Sequence, residues 1–142
     1  MKTRNLSIFS TNWIARTLIS IVFSINVLCA VQFLVQPSAY SIQFDLDGEL
    51  GTVIIRSIGI LFLMWNVPYA IAILNPAKYI TLVISAVIMQ FIGFVGETYL
   101  FVIIQYLENT RLSIFRFMVF DFAGLLLLSI ALILVVRGKH NE

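Results

Sequence analysis

Arg56, Glu97 and Asp121 each sit in a run of residues that is otherwise almost wholly apolar: RSIGILFLMW, QFIGFVGETYL and FMVFDFAGLLLL. A charge placed in hydrocarbon is costly, about 2.5–3.5 kcal/mol even on the mildest insertion scales. It persists where it faces a partner or a water-filled cavity, so each such residue marks a structural lock or a functional site. Two carboxylates and a guanidinium at one depth support two kinds of chemistry. They can close on one another as a network that fixes helix register. Alternatively they can hold a lipid headgroup, a quinone ring, an ion or a proton.

Other residues extend this cluster. Arg116 lies about a turn and a half from Asp121 on the same apolar run. Asn26, Asn66 and Gln90 fall near the middle of their own runs. Each charge also has a glycine one turn away on its helical face: Gly59 by Arg56, Gly93 by Glu97, Gly124 by Asp121. Small residues let membrane helices approach closely, so the pattern predicts that the three charged faces turn toward one another. Two stripes follow, Arg56-Gly59-Leu63-Asn66 and Ala86-Gln90-Gly93-Glu97. Trp13, Trp65 and the tyrosines read as interfacial anchors or packing. The phenylalanines of FRFMVFDF read as lipid-facing or packed.

What is missing narrows the chemistry further. The single histidine, His140, stands in the terminal tail, so no span offers a haem ligand or the base of a Ser–His–Asp triad. The single cysteine, Cys29, excludes an internal dithiol relay. Glu97 and Asp121 alone are too few for a zinc or di-iron site. No glycine-rich phosphate loop occurs, and no basic run is long enough for a nucleic-acid patch. The expectation is therefore a protein without cofactor or metal and without self-sufficient redox or hydrolytic catalysis, while proton-coupled chemistry on a bound lipid-soluble substrate stays open.

The elements that must position these residues are membrane helices. The chain is 61% hydrophobic and 11% charged, with a mean hydropathy of +1.01. A soluble domain averages about 45–50% apolar and about 25% charged. At about 20 residues per span, the length accommodates four helices. The expected fold is all-α: one transmembrane four-helix bundle over 1–142, with helices at 13–36, 52–74, 79–106 and 113–136. The first run is longer than the apolar core of a cleaved signal peptide and stays as a helix. Val27-Leu28 before Cys29 argues against a lipoprotein site. The 37–50 connection alternates weakly, as an extended or interfacial segment would, and Asp45, Asp47 and Glu49 make a solvated acidic loop. Their spacing does not fit a calcium loop. Pro68 should kink the second helix.

Counted from the helix midpoints, Arg56, Glu97 and Asp121 lie roughly 7–11 Å toward the same face. Lys2, Arg4, Arg16, Lys78, Arg137 and Lys139 fall on the opposite side. The 37–50 and 107–112 loops hold Arg111, with Arg116 just inside the fourth helix, against Asp45, Asp47, Glu49 and Glu108. The positive-inside rule then places both termini in the cytoplasm.

The chain resembles the small bacterial four-helix membrane proteins of the DoxX-like type. The likeness rests on four spans, Arg56 followed by a Gly-x-Leu-Phe-Leu run, Gly96-Glu97, and Arg-Phe-x-x-Phe-Asp-x-x-Gly-Leu from Arg116. It implies association with quinone-linked oxidoreductases or larger membrane assemblies, and carries over no catalytic residue. Two functions remain open. One is a non-catalytic accessory subunit packed in the bilayer against other membrane protein subunits. The other is binding of a quinone, lipid or proton by the Arg56, Glu97 and Asp121 cluster. A transporter ranks third, because four spans would need an oligomer to build a pathway.

Overall fold

The computed structural model describes residues 2–140, with side chains from 12 to 139. The Lys2, Arg4 and His140 side chains lie outside the described residues. The order is α1 (Lys2–Val35), α2 (Pro37–Gln43), α3 (Gly48–Trp65), α4 (Val67–Leu74), α5 (Ile80–Ile103) and α6 (Glu108–His140). No strand occurs among the described residues. Four stretches are long and apolar enough to cross a membrane: Asn12–Val35, Gly48–Leu74, Ile80–Ile103 and Glu108–Lys139. Much of their surface is exposed Leu, Ile, Val and Phe, as expected where lipid rather than water surrounds a bundle.

α3 and α4 form one span, broken at Asn66. Pro68 occupies the first turn of α4, where it has no N–H to donate back to the Met64 carbonyl and its ring crowds that group. Asn66 stabilises the break. Its Nδ2 donates to the Phe62 carbonyl at 2.6 Å, and its own carbonyl accepts from Ala70 N at 3.0 Å.

The break divides the bundle. α4 packs against α1 and α5, whereas the α3 backbone packs against α1 and α2 and, among the described residues, comes close to neither α5 nor α6. The core therefore sits at one end. It joins Ala15, Ile19 and Val22 of α1 to Tyr69 and Ala72 of α4, Val83 and Ala86 of α5, and Leu128, Ala131 and Val135 of α6. Alanine at four of these positions brings the backbones close. Because the early part of α1 and the late part of α6 meet there, α1 enters and α6 leaves the bundle at this end.

Four local expectations are corrected. The start of the 37–50 connection is helical: Pro37 presets the first turn of α2, and Ser41 Oγ donates to the Ser38 carbonyl at 3.0 Å. A few alternating residues carry too weak a signal to outweigh that start. Tyr40 then ties α2 to α1, its OH donating to Gln32 Oε1 at 2.6 Å. The acidic loop is also not merely solvated. Asp45, at φ 53°, accepts from Asn109 Nδ2 at 3.0 Å, Thr110 N at 3.0 Å and Thr110 Oγ1 at 2.8 Å. It thus caps α6 from a distant loop, and α6 starts at Glu108 rather than near 113. α5 ends at Ile103, short of 106.

Candidate functional site

Away from the packed end, the separation of α3 from α5 leaves a partly open cavity of ≈ 770 Å³. α1, α3, α5 and α6 all contribute to its wall. Ile58, Phe62 and Trp65 line the α3 side, and Ile92, Gly96, Tyr99 and Leu100 the α5 side. These two helices face each other without packing, so the gap between them is a lateral opening.

The closed end is polar. Tyr69 OH donates to Gln90 Oε1 at 3.1 Å and to the Ala86 carbonyl at 3.3 Å. Gln90 Nε2 donates to Asp121 Oδ1 at 2.6 Å. The Gln90–Asp121 bond crosses the α5–α6 contact beside two glycines, Gly93 and Gly124. A Cβ at Gly93 would collide with Asp121 Oδ2, and one at Gly124 would meet Gln90 Nε2 at 2.8 Å. Each helix thus gives up a side chain where the other projects a polar one.

Glu97 lies farther along α5, within electrostatic reach of Asp121 and of Cys29. Its Oε2 is buried and has no hydrogen-bond partner; Asn66 Oδ1 is in the same state. A buried polar atom left unpaired costs about 1–3 kcal/mol. The network is therefore not closed by the protein itself.

Six of the seven residues expected in the cluster line this cavity: Asn26, Asn66, Gln90, Glu97, Arg116 and Asp121. Arg56 does not. It is exposed, one position from Ile55, which is buried, as is Gly59. Gly59 meets the Ala30 carbonyl at 3.0 Å and Phe33 Cβ at 3.1 Å, so it serves the α1–α3 contact. The Arg56-Gly59-Leu63-Asn66 stripe is consequently split, with Arg56 and Leu63 outward and Gly59 and Asn66 inward. An outward arginine near a helix end can bury its stem in lipid and carry its head to the interface. The three charged faces do not all converge. Two of them do, with Arg116 contributing the positive charge to the cavity.

The aromatic side of the site was not anticipated. Phe33 and Phe62 stack with centroids 5.7 Å apart, and Phe62 and Trp65 with centroids 6.2 Å apart. Phe117 meets Phe62 edge-on at 6.4 Å. Of the phenylalanines in FRFMVFDF, Phe117 and Phe120 face the cavity, while Phe115 and Phe122 are exposed. A signal for this wall was present: Phe62, Trp65, Asn66 and Tyr69 follow the i, i+3, i+4, i+7 spacing of one helical face. The Asn66 break inside that face obscured it. Among the described residues, no cluster of three or more His, Cys, Asp or Glu could hold a metal ion.

This arrangement can hold an apolar ring or chain against aromatic rings while a polar head meets carboxylates and amides. Comparison of the chain with protein-family models, with curated proteins and with solved structures finds no match, so the reading rests on this geometry.

Proposed function

We propose that the chain binds an amphipathic, lipid-soluble molecule, taken sideways from the bilayer into the cavity between α3 and α5. One observation carries this reading: an aromatic-walled cavity of ≈ 770 Å³ ends in carboxylates and amides that the protein leaves partly unpaired. Its volume falls within the usual range for small-molecule sites, about 300–1,000 Å³. A purely structural network would be expected to satisfy its own oxygens. A quinone ring or a lipid headgroup has the required shape, and the DoxX-like resemblance agrees with a quinone-linked role. With both termini in the cytoplasm, as the basic residues favour, the cavity serves the outer leaflet of a bacterial inner membrane.

A second reading, an accessory subunit of a larger complex, draws on a different surface. A shallow groove of ≈ 490 Å³ runs along α1 beside Ile73, lined by Thr17, Ser20 and Ser24 with Trp13 and Arg16 at one end. Small polar residues at this spacing suit close approach by a partner helix.

Native mass spectrometry of protein extracted in gentle detergent tests both. Binding predicts a defined small-molecule adduct that Gly96→Leu abolishes. A Cβ at Gly96 meets nothing within 4 Å, so the larger side chain fills the cavity without disturbing helix packing. An adduct that survives this substitution would refute the site. Co-purified protein chains with no small-molecule adduct would favour the subunit reading.

A further inference from the structure

Independently of the α3–α5 cavity, we infer that the groove along α1 holds one acyl chain of an anionic phospholipid whose phosphate meets Arg16. Ile21 and Ile25 of α1 and Ile73 of α4 supply apolar surface, and Thr17, Ser20 and Ser24 are small enough to leave room beside them. The Thr17 hydroxyl is spent within its own helix, donating to the Trp13 carbonyl at 3.0 Å, so it makes no demand on an occupant.

Charge at the end of the groove names the headgroup. The Arg16 guanidinium lies over the Trp13 ring, 4.6 Å from its centroid. Stacking of this kind holds a cation in place, and tryptophan favours the level of the lipid headgroups. Among the described residues, Arg16 pairs with no carboxylate. Asp45, Asp47, Glu49 and Glu108 belong to the loops at the other end of the spans, and Glu97 and Asp121 line the cavity. Lys78, Arg137 and Lys139 fall on the Arg16 side. This end therefore carries positive charge that the described residues do not balance, and a guanidinium fork matches the oxygens of a phosphate.

Length favours a lipid over a helix. Arg16 and Ile25 are nine residues apart, about 14 Å along α1. One leaflet of hydrocarbon is about 15 Å deep, so an acyl chain that starts at the headgroup level ends where the groove ends. A partner helix crosses the whole core, about 30 Å, and would leave the groove halfway. A second copy of this chain is disfavoured by charge as well. Inserted in the same orientation, it brings its own Arg16 to the same depth, and like charges in contact oppose association.

The test places the full chain in nanodiscs of phosphatidylcholine and phosphatidylglycerol in equal amounts with identical acyl chains. Native mass spectrometry after transfer to gentle detergent identifies the lipid that stays bound. Phosphatidylglycerol should be retained about fivefold over phosphatidylcholine, the factor for one basic residue at an anionic lipid surface. Arg16→Gln should bring that ratio close to one. Ser24→Phe, at an exposed position in the groove, should remove the adduct of either lipid. Gly96→Leu should change neither, which separates this site from the α3–α5 cavity. Equal retention of the two lipids by the parent chain would overturn the inference. So would a preference that survives both Arg16→Gln and Ser24→Phe, because the lipid would then sit elsewhere. A dimer mass, or a second protein chain, that Ser24→Phe abolishes would give the groove to a helix instead.

Discussion

The two ends of this bundle are made from the same four spans and are built on opposite terms. At the end where α1 enters and α6 leaves the bundle, α1, α4, α5 and α6 meet through Ala15, Ala72, Ala86 and Ala131, and side chains such as Leu128 and Val83 are fully buried. At the other end, the α3 backbone stays apart from α5 and the space between them is a cavity with two carboxylates in its wall. The residues at the dividing level are Asn66 and Pro68. Before the break the span follows α1 and α2; after it, the span packs against α1 and α5. The lesson is that one missing backbone N–H can set where a small membrane bundle is sealed and where it is open.

The largest expected effect falls at the closed end. Leu128→Ala should cost about 2–5 kcal/mol, because the tightly packed helices around it cannot collapse into the gap. Ile58→Ala, in the cavity wall, should cost clearly less, since that side chain already borders empty space. Unfolding of both variants in one detergent would compare the ends directly. Equal losses would show that the open end is packed as tightly as the closed one.

A second contrast lies within a single helix. Gly93 and Gly96 are three residues apart on α5, yet a Cβ at Gly93 strikes Asp121 and one at Gly96 strikes nothing. Gly93→Leu should therefore destabilise by about 1–3 kcal/mol through forced separation of α5 and α6. Gly96→Leu should stay within about 0.5 kcal/mol of the parent. Thermal melts settle the difference, and a destabilised Gly96→Leu would mean that the cavity closes in solution.

Much of this was legible in the sequence, and the parts that were not have identifiable causes. Hydropathy and length are enough to expect four spans, because each helix in lipid must satisfy its own backbone. Pro68 announced the break, since a missing N–H is a local property. Glu97, Gln90 and Asp121 were legible as neighbours because the glycines and polar residues on α5 and α6 share faces across one contact. Arg56 was misplaced because helical spacing gives the relative angle of residues on α3 but not which side of α3 meets the bundle. Its partner glycine answered to α1 rather than to the cavity. The role of Asp45 was invisible for a different reason. Its partners lie some 65 positions away in sequence, and nothing local distinguishes a capping aspartate from a solvated one.

That cap yields a smaller, pH-dependent prediction. The Asn109 amide and the Thr110 hydroxyl and N–H hold the Asp45 carboxyl below its usual range. A carboxylate with a lowered folded-state pKa adds stability above its unfolded value, about 3.9, and loses it as pH falls through the folded value. Wild type should therefore melt slightly above Asp45→Asn at neutral pH, and the two curves should converge once the medium is acid enough to protonate the cap. Parallel melts from pH 7 to pH 2 would show it. A gap that stays constant over that range would mean that Asp45 acts through backbone shape rather than charge.

The smallest expected effect concerns the residue that looked most important. Because Arg56 points away from the cavity, Arg56→Gln should change stability by no more than about 0.5 kcal/mol and leave the bound adduct intact. Arg116 makes the opposite case. It is also exposed, yet it lines the cavity, so Arg116→Gln should leave the fold alone while weakening retention of the adduct. The pair separates position from charge, since each substitution removes the same group. A buried charge stripped of its partner costs about 3–5 kcal/mol. A loss of that size on Arg56→Gln would show that α3 rotates its charged face onto Glu97 and Asp121 in the membrane. The cavity would then be one state of a bundle that also closes.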